Sequence, residues 1–534
     1  MHRLPTHRLP IRLLATTALG VSLAASALAQ DAGEVTVGLS VAPTSMDPQL
    51  GALGSDEAIY RHIYDPLILS DENLQPTPAL AESWELIDDT TWEFKLRQGV
   101  TFHDGSAFDA EDVRFTLERL PTVEGSDGLN AEKMSVITDL EIVDPHTIRM
   151  TTSEPVPDLL TRLFTQFIIS NELPADVTTE AFNSGEAAIG TGPYAFEEWN
   201  RGEELILSAN EDYWDGAPEA KRVVLREIPN DGARVAALLA GDVDVIDNVP
   251  PLDTGRLEND SAIEVIAGPA SRTIFLQFNT AKGPGEFGAM LAAKDGSALD
   301  ANPLADERVR EAISLAVNQP LIVERIMEGR ATAANQLVPE GFGGAVEGLG
   351  EPPYDPERAK ALMEDAGYAD GFSMTLGCPN DRYINDAAIC QAVGQMLAAI
   401  GIDLTVDTMP KAVYFDRMRG GEFPFFMLGW GNAQGDSSSV LTSVITTPDD
   451  TGGFGSWNGG TSDPEIDERV KSANVLVDPD ARNAGLTDAM ALTMERDLVV
   501  PLHQQPIIVG ARGGIGYSTI PDEGFRAVNL DLPE

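Results

Sequence analysis

Up to residue 279 the sequence is written mainly in short strands and hairpins, and after residue 305 it alternates helix with strand. That single change of texture constrains the fold more than any motif. EVTVGLSV (34–41) alternates and is β-branched, so it reads as a strand. SWELIDDTTWEFKLR (83–97) reads as two strands turning at Asp88-Asp89, and DLEIVDPHTIRM (139–150) as a similar pair turning at Asp144-Pro145. Further strands fall at 205–209, 222–228 and 271–279, with a helix over 230–240 and a short strand within 241–248. Residues 281–305 are Gly- and Ala-rich and read as a loop or linker. Beyond them come DERVREAISLAVNQPLIVERIM (306–327, helical and broken near Pro320), PERAKALMEDAG (356–367, a helix), GFSMTLGC (371–378, a strand), DAAICQAVGQMLAAIG (386–401, a helix) and IDLTVDTM (402–409, a strand). Helix–strand alternation argues for a separate α/β unit. At about 100–200 residues per domain, 534 residues call for two or three domains. DLVVPLHQQPIIVG (497–510) reads as a strand returning to the first of them.

The start of the chain belongs to no domain. MHRLPTHRLPIR is basic and free of acids, LLATTALGVSLAASALA is apolar, and Ala27-Leu28-Ala29 ends the run in small residues. This is the pattern of a secretory signal peptide over residues 1–29, cleaved before Gln30, with no lipid-anchor cysteine after it. No later apolar run approaches 18 residues, so nothing else is expected to span a membrane. The expectation is a soluble, exported protein, periplasmic in a bacterium with two membranes.

The chain carries a formal charge of −49, and loss of the leader with its three arginines and no acid brings it to −52. A surface this acidic repels nucleic acid and anionic lipid. Cys378 and Cys390 are the two cysteines. They cannot pair within one helix, where twelve residues rise about 18 Å. A loop returning to a helix would bring them together, and export permits a disulfide; two free buried thiols are the alternative.

His103 and Asp104 in QGVTFHDGSAFDAEDV (98–113) invite a catalytic or metal reading. Asp109 suits a helix N-cap, with Asp112 completing a capping box and Glu111 in the first turn. That leaves His103 and Asp104 on a turn with no second histidine near. Only His62, His103, His146 and His503 follow the leader, and no zinc spacing, GxSxG, Walker loop or GxGxxG occurs. An enzyme, a metal site and a cofactor are therefore not expected.

Aromatic and glycine-rich loops in the second unit are the remaining candidates for a binding site. CPNDRYINDAAIC (378–390) carries Arg382 and Tyr383. LGWGNAQGDSSSV (428–440) carries Trp430, Gly431 and Asp436, and GFGSWNGG (453–460) carries Trp457. Glycine lets a backbone approach a ligand, aromatics supply apolar walls, and Arg and Asp fix polar ends. Against this, the tryptophans could be core, Arg382 a solvated loop residue, and Asp436 an Asx-turn or helix cap.

Several blocks in order resemble the family 5 extracellular solute-binding proteins of peptide/nickel/opine ABC importers: LAESWELIDDTTWEFKLRQGVTFHDGSAFDAEDVRFTLERL (80–120), GTGPYAFEEWNRGEELILSANEDYW (190–214), DERVREAISLAVNQPLIVERIM, YDPERAKALMEDAGY and PLHQQP. The resemblance implies an α/β, two-lobed periplasmic-binding-protein fold of type II, of the large cluster with an extra subdomain in the first lobe. The boundaries read from the texture fit it, with lobe 1 at 30–284, lobe 2 at 285–500 and a return to lobe 1 over 501–534, and the resemblance adds the subdomain at about 59–178. It also implies a hinge between the lobes, a scaffold role for the FHDG turn, and monomeric capture of a small-molecule or peptide solute for an ABC permease at the inner membrane. Closure follows when the ligand contacts both lobes. Arg382 resembles the arginine that dipeptide binders use for the ligand carboxylate. Peptide binders hold the ligand amine with an Asp three residues after the Trp of the GW motif, and here that position is Ala433. An oligopeptide is the leading ligand. Opines, glycosides, oligosaccharides and glutathione-like solutes are alternatives in the same role, and a chaperone or a hydrolase stands further off.

Overall fold

The apolar strands of this chain pair into one sheet of twelve strands that runs through both halves of the molecule. The computed structural model describes residues 33–51, 53–126, 128–449 and 454–533, so the expected leader at 1–29 lies outside the described residues. In the first half, Glu34–Leu39 pairs in parallel with Arg222–Glu227 and Val245–Ile246. Glu204–Ala209 and Tyr194–Asn200 extend that edge antiparallel. Val35, Val37, Leu39, Val223, Leu225, Val245 and Val509 form its core on one face, while Val235, Leu238, Ile246 and Ile508 pack on the other.

Two long strands carry the sheet from one half to the other. Ile263–Phe278 and Val499–Arg512 run antiparallel, with a register shift between Pro269 and Thr273. Before the shift, Ile263 and Val265 pack with the first half; after it, Ile274, Leu276 and Phe278 pack with the second. Val499, Val500 and Leu502 likewise belong to the second half, and Ile508, Val509 and Ala511 to the first. The cores therefore divide at about 269–273 and 503–507, not at 284 and 500. The stretch 281–305 is no linker between lobes: Phe287, Leu291 and Leu304 lie in the second core, and Leu291–Ala292 pairs with Phe372–Pro379. Glycine and alanine composition gave no sign of these three anchors.

In the second half, Phe425–Gly431 pairs antiparallel with the crossing strand and parallel with Phe372–Pro379, which pairs in turn with Ile402–Met409. Alternation sends Ile274, Leu276, Phe425 and Met427 to one core and Phe275, Phe426 and Leu428 to the opposite one. A sheet covered on both faces accounts for the apolar runs IFL (274–276) and FPFFML (423–428). The expected helices form as Glu307–Ala316, Gln319–Arg325, Pro356–Asp365 and Asp386–Leu397. Helices at Gly54–Ile63, Lys411–Arg419, Pro464–Asn474 and Pro479–Glu495 were not read from sequence.

A separate four-stranded sheet holds the two hairpins, Ala81–Asp88 with Thr91–Leu96 and Ile137–Asp144 with Thr147–Thr152. Phe94, Leu96, Ile148 and Met150 pack beneath the helix Ala110–Arg119. That helix opens with the expected capping box: the Glu111 N–H donates to Asp109 Oδ1 at 2.8 Å and the Asp109 N–H to Asp112 Oδ2 at 2.8 Å. His103 is a clasp. Its Nε2 donates to the Gly192 carbonyl at 2.9 Å, and its Nδ1 accepts from the Gly190 N–H at 3.3 Å. Both ring nitrogens face backbone, and burial holds the imidazole below its ordinary pKa, so it stays neutral.

His62 clasps the C-terminal segment in the same way. Its Nδ1 donates to the Ala58 carbonyl at 3.0 Å and its Nε2 accepts from the Ala527 N–H at 2.9 Å. Burial first, then the Arg526 charge, pushes its pKa from 6.5 down to about 4. A depressed histidine contributes stability above its unfolded pKa and loses it as pH falls through the folded value. His62→Gln should therefore cost most above pH 6.5, and the gap to wild type should shrink by about 3 kcal/mol on reaching pH 4. Urea melts at pH 7.5 and 4 read this; a gap independent of pH would contradict it.

Candidate functional site

The strand Phe425–Gly431 ends where the crossing strand turns between the halves, and its last residues form the floor of a cavity of about 290 Å³. Arg272, Arg382, Tyr383, Phe415, Leu428, Gly429, Trp430, Gly431 and Trp457 line it. Five of the six residues proposed from sequence thus meet in one place: Trp430, Arg382, Tyr383, Gly431 and Trp457.

Local chemistry explains the shape. Tyr383 is buried, and its hydroxyl donates to the Gly429 carbonyl at 3.3 Å while accepting the Gly429 N–H at 2.9 Å. A side chain at Gly429 would put Cβ 2.5 Å from Ile274 and 2.7 Å from Tyr383, so glycine is required for this approach. At Gly431 a Cβ would stand 3.1 Å from the Arg272 guanidinium, which instead lies against bare backbone. The Trp430 indole donates to Ser439 Oγ at 3.0 Å and meets Trp457 edge to face at 6.0 Å; Phe415 meets Trp457 in turn at 5.3 Å. Both tryptophans also pack on the second core, so the wall and core readings hold together.

The cavity is cationic. Among the described residues Arg382 makes no ion pair; its guanidinium lies 5.1 Å from the Tyr383 ring. Desolvation, followed by the like charge of Arg272, lowers its pKa from the ordinary value, which marks a charge short of partners. Arg272 is paired: Nη2 and Nε donate to Glu523 at 2.9 and 3.1 Å, and Gln505 Nε2 donates to the same carboxylate at 3.1 Å. Burial is the largest influence and pulls the Arg272 pKa down, but the charge and hydrogen bonds of Glu523 together with Tyr383 outweigh it, and the net direction is upward. Arg272, Gln505 and Glu523 went unnoticed at the sequence level. A charged residue inside the apolar run SRTIFLQFN was the signal available for Arg272.

Asp436 is corrected. Its Oδ1 accepts from the Ser438 N–H at 2.8 Å and its Oδ2 pairs with Arg482 at 2.9 Å, away from the cavity. The bond to the N–H two residues on is the Asx-turn alternative. Ala433 is exposed and supplies no charge, while the neighbouring Asn432 amide ties the Ser271 and Leu337 carbonyls at 3.2 and 3.1 Å.

Cys378 and Cys390 form a disulfide with Cα atoms 6.7 Å apart, joining the end of Phe372–Pro379 to the helix Asp386–Leu397. The closed loop carries Arg382 and Tyr383, and Asp386 Oδ2 accepts from both their N–H groups at 3.1 and 3.2 Å. Replacing both cysteines with alanine should lower stability by about 3 kcal/mol in the chain-entropy model. A melt unchanged by reductant would contradict a formed disulfide.

Two halves joined by a pair of crossing strands, with an aromatic, cationic cavity beside the crossing, define a two-lobed receptor for a small solute. The chain belongs to the bacterial extracellular solute-binding proteins, family 5, whose model matches residues 75–452. It is 26% identical over 539 residues to the glutathione-binding protein GsiB of Escherichia coli O1:K1 / APEC, covering 96% of this chain and 98% of that one. Its fold matches HbpA2 from Haemophilus parasuis with a TM-score of 0.80 at 23% identity, over 94% of this chain and all (100%) of the other. It also matches the ABC transporter-associated periplasmic binding protein DppA from Helicobacter pylori in complex with the peptide STSA, with a TM-score of 0.70 at 24% identity, over 94% and 98%. The role is that of the substrate-binding component of an ABC importer. Among the described residues no helix is long and apolar enough to cross a membrane.

Proposed function

We propose that this protein captures a small peptide-like solute bearing a free carboxylate and delivers it unchanged, as a periplasmic monomer, to its permease. The observation that carries the reading is Arg382: a guanidinium with no ion pair among the described residues, beside an aromatic cavity in an otherwise strongly acidic chain. A bidentate contact from its planar fork suits a carboxylate. The aromatic wall suits the apolar or sulfur-bearing body of a peptide. The relatives noted above bind glutathione in one case and a peptide in another, which supports the same class. The strand crossings at 269–273 and 503–507 serve as the hinge, and closure follows from ligand contacts to both lobes.

The test is a thermal-shift screen of residues 30–534, stripped of ligand, against di- to pentapeptides, glutathione, opines, oligosaccharides and the C-terminally amidated peptides. A solute at about 100 times its Kd adds roughly 2.7 kcal/mol. Shifts with free carboxylates that amidation abolishes support the reading. Shifts confined to uncharged sugars, or hydrolysis of a bound solute, would sink it.

A further inference from the structure

Glu523 is set in an unusual place. It reaches Arg272, a residue of the cavity wall, from the C-terminal segment, which is pressed on the first lobe: a Cβ at the next residue, Gly524, would stand 3.2 Å from Ala58 in the helix Gly54–Ile63. Its backbone is in the left-handed region at φ 67°, a conformation strained for a residue with a side chain. That conformation delivers the carboxylate to Arg272 and Gln505, at the strand crossing. Neither partner is sealed: the Glu523 side chain is 28% and Arg272 17% exposed, and Arg272 lines the cavity. A carboxylate offers about four acceptor sites, and Arg272 and Gln505 leave some of them open. Gln505 also connects the pair to the Arg382 loop, its Oε1 accepting the Ile384 N–H at 3.4 Å. Asp386, the acid that holds the Arg382 loop, is occupied by the backbone of 382, 383 and 387.

Two cations, Arg272 and Arg382, therefore line the cavity, and one anion, Glu523, lies against the first of them. An α-amino-acid head, an ammonium next to a carboxylate, is the complement of such a pair, and laying one on the other places every charge beside its opposite. We propose that Glu523 is the ammonium-recognising residue of this protein, in place of the absent acid at position 433. Arg272 takes the adjacent carboxylate and Arg382 a second, distal one. The solute class is an α-amino acid extended through its side chain to another carboxylate, as in a γ-glutamyl peptide. An ordinary α-linked peptide lacks the carboxylate next to its ammonium and fits less well. This rests on the carboxylate-binding reading of the same cavity.

The experiment is calorimetric titration with γ-Glu-Cys-Gly, its α-Glu-Cys-Gly isomer of equal net charge, N-acetylated γ-Glu-Cys-Gly and Ala-Ala. The protein is wild type, Glu523→Gln and Glu523→Asp, each checked for an unchanged melt. Wild type should prefer the γ-linked form to the α-linked and to the acetylated form by about tenfold or more, in line with a charged hydrogen bond. Glu523→Gln should bring the free and acetylated forms to within about threefold, and Glu523→Asp should keep part of the preference. Equal wild-type affinities for the two isomers, or a Glu523→Gln variant that keeps the full preference, overturn the proposal. Tight binding of Ala-Ala without γ-Glu-Cys-Gly overturns it while leaving the carboxylate reading intact. Binding of the γ-linked form with the same affinity to an Arg382→Ala variant overturns the carboxylate reading itself.

Discussion

Arg119→Met should lower the stability of the first lobe by about 3–5 kcal/mol, the cost of breaking a buried ion pair from one side. Arg119 on the helix Ala110–Arg119 donates two hydrogen bonds to Asp47, at 2.7 and 3.0 Å, with side chains 3% and 0% exposed. The same guanidinium reaches Gln49 at 2.8 Å, and Thr179 donates to Asp47 at 2.8 Å. The cluster thus ties the N-terminal loop to the helix Ala110–Arg119 and to the start of the helix Thr179–Asn183. Removing the guanidinium strands a carboxylate that water cannot reach. A second substitution, Asp47→Leu on top of Arg119→Met, should recover a large part of the loss, because an apolar pair of similar volume avoids the desolvation cost. Denaturant melts of the three proteins settle the point. A single variant within 1 kcal/mol of wild type would mean that the pair is not the anchor described.

Arg382→Ala should weaken binding of a carboxylate solute by about 2–4 kcal/mol, some 30- to 1000-fold, because a desolvated charge on the ligand loses its partner. Arg382→Lys should restore only part of it, since an ammonium cannot reproduce the two-pronged contact. Both variants should melt near wild type, because the side chain makes no ion pair among the described residues. Titration of one solute from the screen against the three proteins reads the effect. An alanine variant within threefold of wild type would place the carboxylate elsewhere.

The features legible in the sequence were those decided by neighbours in the chain. The capping box at Asp109 spans four residues, and the hairpins turn within two or three. The apolar run 271–279 announced a buried strand, though not that it would run on from Ile263 across the two cores. The site loops were legible for a similar reason: Gly429, Trp430 and Gly431 carry their constraint in consecutive residues.

Tertiary placement was not legible. Arg272 and Glu523 are 251 positions apart, and a strand assignment gives no hint of that partner. Asp436 met Arg482, 46 residues on, which removed it from the site. Leu74, in the turn between the short strands Ile68–Ser70 and Pro76–Pro78, is 1% exposed in the second lobe's core, and Gln75 donates to the Gly435 carbonyl at 3.1 Å. A turn in the first lobe's hairpin region thus plugs the second lobe, a contact that local polarity argues against.

The cavity beside Trp430 and Trp457 is expected to bind a solute through its carboxylate. The direct measurement is a tryptophan-fluorescence titration of residues 30–534 with glutathione and with its fully amidated analogue, followed by recovery and mass analysis of the solute. Saturable one-site binding of the free acid, at least about tenfold weaker for the amide, with the solute returned intact, is the predicted result. Equal binding of acid and amide, or conversion of the solute, would contradict it.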